Sequence, residues 1–250
     1  MTTPIRLISL TLISSFSIFT FLIKENNFNF KNSKQNEHPV ADSLIYGIDL
    51  SHYQGDEIEY LNAKGTRLTF VICKATEGLT YTDPDFKTNW DMIDENGFVR
   101  GAYHFYHCAD DPTQQANYFL STIGKLDETG FPPIVDFEEN SIDKSCNKAS
   151  IQKNLLTFLK ILEQKTGRRP ILYTDTNIGN SQINSAAFAN YTLWIADYNN
   201  GNQPDIPSVW KTKGWVIWQK NPNYNLDNYS NDYDVFNGSD VAFLKFLQKE

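Results

Sequence analysis

A chain of 250 residues with 40% apolar residues can bury a sizeable core and is too apolar to be disordered. Its 22 Lys and Arg against 30 Asp and Glu leave a formal net charge of −8. That balance argues against a general nucleic-acid binder and against a polybasic membrane-surface protein, since both depend on clustered cations.

Leu7 to Ile23 is a 17-residue stretch without a charge, eleven of them Leu, Ile or Phe, bracketed by Arg6 and Lys24. A basic residue before a short apolar run is the layout of a secretory signal. The run is just shorter than the ~20 residues of a bilayer crossing, and no good cleavage site follows, so an uncleaved N-terminal anchor is the alternative. The expected division is signal peptide or N-terminal membrane anchor at 1–23, a polar, Asn-rich linker at 24–43, and one domain at 44–250. The protein is expected to be exported, secreted or periplasmic.

Eight short runs rich in β-branched and aromatic residues then read as strands. They are Tyr46–Ser51, Thr69–Ala75, Arg100–Tyr106, Pro133–Glu138, Pro170–Thr174, Thr192–Asp197, Trp215–Gln219 and Asp232–Phe236. Helices fit between the early ones. Asp83-Pro84 opens a segment ending at Gly97, and Asp111-Pro112 one closing near Gly124. From Ser150 to Lys165 one face carries Ile151, Leu155, Phe158, Leu159 and Leu162 at helical spacing, with Gly167 as the stop. After the fifth run the connections shorten. The 12 residues before the last run cannot hold a helical crossover, which predicts an antiparallel return. Ser239-Asp240 caps a closing helix. About five βα units and three tightly connected strands predict an α/β fold, a shortened and irregular relative of the (β/α)8 barrel. A doubly wound open sheet is the alternative, although no glycine-rich phosphate loop follows a strand.

Cys73, Cys108 and Cys146 have no zinc spacing. Cys73 reads as core. Cys108 and Cys146 flank loops and are free to pair in an exported protein, which only geometry decides.

In such a barrel the carboxyl ends of the strands face the active site. Asp49 lies in the first run, Asp136 and Glu138 close the fourth, and Asp232 and Asp234 lie in the last. Strand period two puts Asp136 and Glu138 on one face, roughly 7 Å apart. Their mutual repulsion then raises one pKa and leaves a proton donor beside an anion, the arrangement that glycoside hydrolysis uses. A single acid at a strand end is more often solvated or an N-cap, and Glu139 is read that way. Acids inside apolar strands are costly, and that favours function for Asp49, Asp136 and Glu138 together. No histidine pattern joins them, so no metal and no cofactor is expected. His104 and His107, three apart, point to opposite faces. Tyr53, Tyr106, Tyr173, Trp194, Tyr198 and Trp218 are candidates to stack on sugars or to fill the core, with Tyr106 and Trp218 preferred as substrate contacts. Glu77 is a second-tier substrate contact, a candidate to hydrogen-bond within the site or equally to support its loop.

The ordered set GIDLSHYQG (47–55), KATEGLTYTDPDF (74–86), GAYHFY (101–106), IVDFE (134–138), PILYT (170–174), LWIADY (193–198), WVIWQ (215–219) and DYDVFNG (232–238) resembles the glycoside hydrolase family 25 lysozymes, the Chalaropsis-type N-acetylmuramidases. The resemblance covers about residues 45–240. It implies a flattened, irregular TIM-like (β/α)5β3 barrel in a single domain. It also implies hydrolysis of the β-1,4 bond between N-acetylmuramic acid and N-acetylglucosamine. The partner would be a peptidoglycan glycan strand, met by a monomer. By match to the D-x-E motif, Glu138 would be the general acid and Asp136 would assist the substrate's 2-acetamido group. Asp49 and Asp232 would be the remaining two acids, with Asp234 standing where the family often has Asn. A glycan-binding barrel without catalysis and a chitin-type acetamido-sugar hydrolase are the competing readings. The fuller family-18 chitinase pattern D-x-x-D-x-D-x-E is absent.

Overall fold

The computed structural model describes residues 45–54, 68–226 and 229–248. The apolar run Leu7–Ile23 and the linker lie outside the described residues, and among those described no helix is long and apolar enough to cross a membrane.

The eight expected runs are eight strands of a closed barrel. They are β1 (Ile45–Leu50), β2 (Leu68–Glu77), β4 (Val99–Phe105), β5 (Ile134–Asp136), β6 (Ile171–Asp175), β7 (Thr192–Ala196), β8 (Ile217–Leu226) and β9 (Tyr229–Phe236). A two-residue strand, β3 (Tyr81–Thr82), pairs antiparallel with β2 outside the ring. Around the ring the order is β1-β9-β8-β7-β6-β5-β4-β2, and parallel β1–β2 pairing closes it. That closure excludes the open doubly wound sheet.

Of the last three strands only β9 runs antiparallel to its neighbours; β7 and β8 pair parallel. The 12 residues expected to form a simple connection instead lengthen β8 and β9 into a hairpin that pairs out to Leu226 and Tyr229.

Helices α1 (Phe86–Glu95), α2 (Pro112–Ile123), α3 (Lys148–Thr166), α4 (Thr176–Ser181) and α5 (Asp240–Leu247) complete the fold. The longest, α3, starts where Asn147 Oδ1 accepts from the Ser150 amide and stops at Gly167, whose φ of 66° lies in the left-handed region. Its buried residues are the five predicted, Ile151, Leu155, Phe158, Leu159 and Leu162.

Strand alternation builds two cores. Outward side chains such as Ile48, Val71, Val135, Leu172 and Ile195 pack under the helices. Inward ones, Ile45, Phe70, Ile72, Ile134, Ile171, Ile217 and Phe236, fill the lower lumen, and Phe243 and Leu247 of α5 close it from below. Gly47 is inward because it must be: a Cβ there would stand 2.1 Å from the Phe70 ring. The buried Arg168 guanidinium donates to the carbonyls of Gly130 and Leu247, fastening the end of α5 to the barrel.

Candidate active site

Two residues higher on the same strands the inward positions change character. A cleft opens at the carboxyl ends of the parallel strands, lined by Asp49, Lys74, Tyr103, Asp136, Tyr173, Gln219 and Asp232 among others. The reversed β9 enters this rim with its first half, so Asp232 stands opposite Asp49 and Asp234 opposite Gly47. An acid early in an antiparallel strand thus joins acids late in parallel ones.

Asp136 ends β5, and Glu138 follows two residues on, at the same cleft. The backbone between them is fixed from both sides: Tyr106 N–H donates to Asp136 O, and Phe137 N–H to Tyr173 O, each at 3.0 Å. Beyond them, Glu138 N–H donates to Ser141 Oγ at 3.1 Å, and Cys108 N–H to Ser141 O at 2.9 Å. The Cys108–Cys146 disulfide ties the same segment to the start of α3. Burial is the largest cause raising the Glu138 pKa, and Asp175 adds to it against a hydrogen bond from Asn140. Burial and then the Glu138 charge push Asp136 well above the usual carboxylate range, while Lys74 pulls it down. Asp136 Oδ1 is buried and has no donor.

Across the cleft, Gln219 organises a second group. Its Oε1 accepts from Tyr173 Oη at 2.9 Å and Tyr198 Oη at 2.6 Å, and its Nε2 donates to Asp49 Oδ2 at 2.7 Å. Asp234 Oδ1 accepts from Trp194 Nε1 at 2.8 Å, and its buried Oδ2 meets no N–H donor. Asp49 and Asp234 both rise well above the ordinary range, first through burial, then for Asp49 through the facing charge of Asp234. The two carboxyls interact directly, so ionisation of one disfavours ionisation of the other. Asp232, less buried, is pushed up to about 6 by burial and by Glu138.

The family model of the glycosyl hydrolases family 25 matches residues 48–228, a span containing every strand-end acid except Asp232 and Asp234. This chain belongs to glycosyl hydrolase family 25. Lysozyme M1 of Streptomyces globisporus is 31% identical over 216 residues, 82% of this chain and 72% of its own. The N,O-diacetylmuramidase of a Chalaropsis species is 31% identical over 206 residues, 78% of this chain and 95% of its own. Among solved structures, the bacterial lysozyme from Streptomyces coelicolor superposes with a TM-score of 0.74 at 28% identity, covering 81% of this chain and 96% of that one. The muramidase from Acremonium alcalophilum does so with a TM-score of 0.74 at 29% identity, covering 82% and 100%. The protein is a glycoside hydrolase of the lysozyme type.

Within this family 25 barrel, Asp49, Asp136, Glu138 and Asp232 share one cleft with Tyr173 and Tyr53; Tyr53 is 83% exposed at its rim. Tyr106 and Trp218, the preferred sugar contacts, are corrected. Both are buried and face the outer layer, Tyr106 against Phe137 and Phe158, Trp218 with its indole N–H donating to Asp197 O. Strand period two is the reason, since the lumen-facing neighbours are Phe105 and Gln219. Glu77 is corrected as well: it is not a cleft-lining residue but ion-pairs with Lys74, which is one. His104 is buried in the outer layer and hydrogen-bonded to Thr76 and Gln115; burial holds it down near 3. Cys73 is core, and Cys108 and Cys146 pair. Sequence reasoning did not single out Lys74, Tyr103, Phe105 or Gln219 as site residues. Alternation counted from Asp136 along the aligned strands was the signal that finds them.

Proposed function

We propose that the protein is a peptidoglycan hydrolase that cleaves the β-1,4 bond between N-acetylmuramic acid and N-acetylglucosamine, with Glu138 as general acid. The observation carrying this reading is the donorless, buried Oδ1 of Asp136 beside Glu138. Two such close acids cannot both ionise cheaply, so the pair holds one proton. A substrate acetamido N–H donating to Asp136 Oδ1 stabilises the anion there and leaves the proton on Glu138. Glu138 then protonates the leaving glycosidic oxygen while the acetamido carbonyl oxygen attacks C1, so that the C1–O bond to the leaving sugar breaks as an oxazolinium ring closes. Water next adds to C1, returns its proton to Glu138 and reopens the ring. The outcome is net retention without a carboxylate nucleophile, a recognised exception to the two-carboxylate scheme. Asp49 and Asp232, with Asp234 behind them, line the opposite wall, where they position water and stabilise charge. Tyr173 and the exposed Tyr53 and Tyr198 offer rings and hydroxyls to the glycan.

The Cys108–Cys146 disulfide suits an oxidising compartment and supports export, in agreement with the apolar run Leu7–Ile23. Clearing of purified wall suspensions, with Glu138→Gln as control, tests the activity; wild type and variant that both bind walls and both leave them intact would refute it. NMR of the first-formed anomer on a defined muropeptide tests the mechanism, and clean inversion would exclude substrate assistance.

A further inference from the structure

The acid-rich cleft contains one cation among its described lining residues, Lys74, and the backbone is irregular where it enters. Lys74 and Glu77 are three apart on β2, so regular alternation would send them to opposite faces. The register against β4 slips between Lys74 and Thr76: Lys74 stands opposite Tyr103 and Glu77 opposite Phe105, both lumen-facing residues. The extra residue of this bulge returns Glu77 to the side of Lys74, a use of bulges common beside active sites. Lys74 Nζ then meets Glu77 Oε2 at 2.6 Å, and Glu77 Oε1 faces His107 Nε2 at 2.9 Å. Side-chain exposure rises along this row, from 8% at Lys74 to 32% at Glu77 and 36% at His107. The Phe105 ring lies 4.9 Å from Lys74 Nζ and the Tyr81 ring 5.6 Å.

We propose that Lys74 is a positioning residue for the Asp136–Glu138 pair: held at the cleft floor by Glu77, itself braced by His107, its charge offsets the burial and mutual repulsion of the two carboxyls and so sets the pH range in which the pair keeps a single proton. The inference rests on Glu138 being the acid. Lys74 opposes the rise of both carboxyls, and Glu77 works against it at Asp136. The other titratable groups among the described cleft-lining residues are Asp49 of β1, Tyr53 after it, Tyr103 of β4, Tyr173 of β6, Tyr198 after β7 and Asp232 of β9, with Tyr81 of β3 beside the ammonium. No second cation stands among the described lining residues to replace Lys74.

The test is the pH profile of kcat/KM for the full chain on soluble peptidoglycan fragments. Lys74→Met should move both limbs up by roughly one pH unit, since a nearby opposite charge shifts a carboxyl by about that or more. Lys74→Arg should restore the profile. Glu77→Gln keeps an acceptor for the ammonium but removes an opposing anion, so its limbs should move down. A purely structural lysine would lower the whole profile and leave both limbs in place, which overturns the proposal, as would Glu77→Gln moving the limbs in the same direction as Lys74→Met. If Lys74→Met does not fold, Glu77→Gln decides, read also by carboxyl 13C titration of Asp136 and Glu138. An active Glu138→Gln would overturn both the acid assignment and this inference. An inactive Glu138→Gln alongside unmoved limbs would overturn the inference alone.

Discussion

The lower and upper halves of the barrel lumen are made by the same strands at the same phase, yet they do opposite things. Below, Ile45, Phe70, Ile134, Ile171, Ile217 and Phe236 form an apolar plug. One or two alternations higher, Asp49, Lys74, Asp136, Tyr173, Gln219 and Asp234 occupy the corresponding inward positions. The plug holds the strands in register through close packing, and the rim spends that rigidity on keeping carboxyls together that would separate in water. The lesson is that burial below makes tolerable the repulsion above, since each rim acid is raised first by desolvation.

Substitutions can break this division on either side. The largest effect belongs to the rim: Glu138→Gln should lower kcat by about 10²–10⁴-fold, the usual worth of a general acid, with an unchanged denaturation midpoint. In the plug, Phe70→Ala should cost about 3–5 kcal/mol in urea unfolding, and Gly47→Ala, which drives a Cβ into the Phe70 ring, about 1–3 kcal/mol. A smaller effect concerns pH. Asp232 titrates at about 6 in the folded protein and near 4 in the unfolded chain, so between those values the native state holds the extra proton. Its contribution to stability is therefore full below about pH 4 and lost as the pH rises through about 6. Asp232→Asn should flatten that part of a melting-temperature profile; an unchanged slope would remove Asp232 as its source. The smallest change is Tyr106→Phe. The deleted hydroxyl is buried without a partner, so stability should stay equal or rise by up to about 1 kcal/mol, with kcat/KM unaltered. A fall in activity there would return Tyr106 to the site.

Much of this was legible along the chain because its signals are local. The runs TFVICKA and PIVDFE look like strands wherever they occur, and Asn147, Gly167 and Ser239 mark helix ends through bonds to their own neighbours. The misreadings at Tyr106 and Trp218 came from reasoning by position along a strand without counting faces. Each sits beside a lumen residue, and one step in a strand changes side. Glu77 differs: a bulge that no local signal announces turns it to the side of Lys74, where Lys74 and His107 take up its carboxylate and it supports the site from behind the lining residues.

The sequence alone determined the strand and helix inventory, the D-x-E pair at the carboxyl end of β5 and the family to which the motifs point, because period two, capping and turn chemistry act over a few residues. Tertiary structure decided which acids meet. Asp49 and Asp234 are 185 positions apart and share a wall only because β9 reverses beside β1. Parallel pairing of β2, β4 and β5 likewise sets Lys74 at the cleft that holds Asp136, across the intervening β4. Carboxyl pKa values depend on burial and on the charges that closure brings near, and neither is a property of any short stretch of chain.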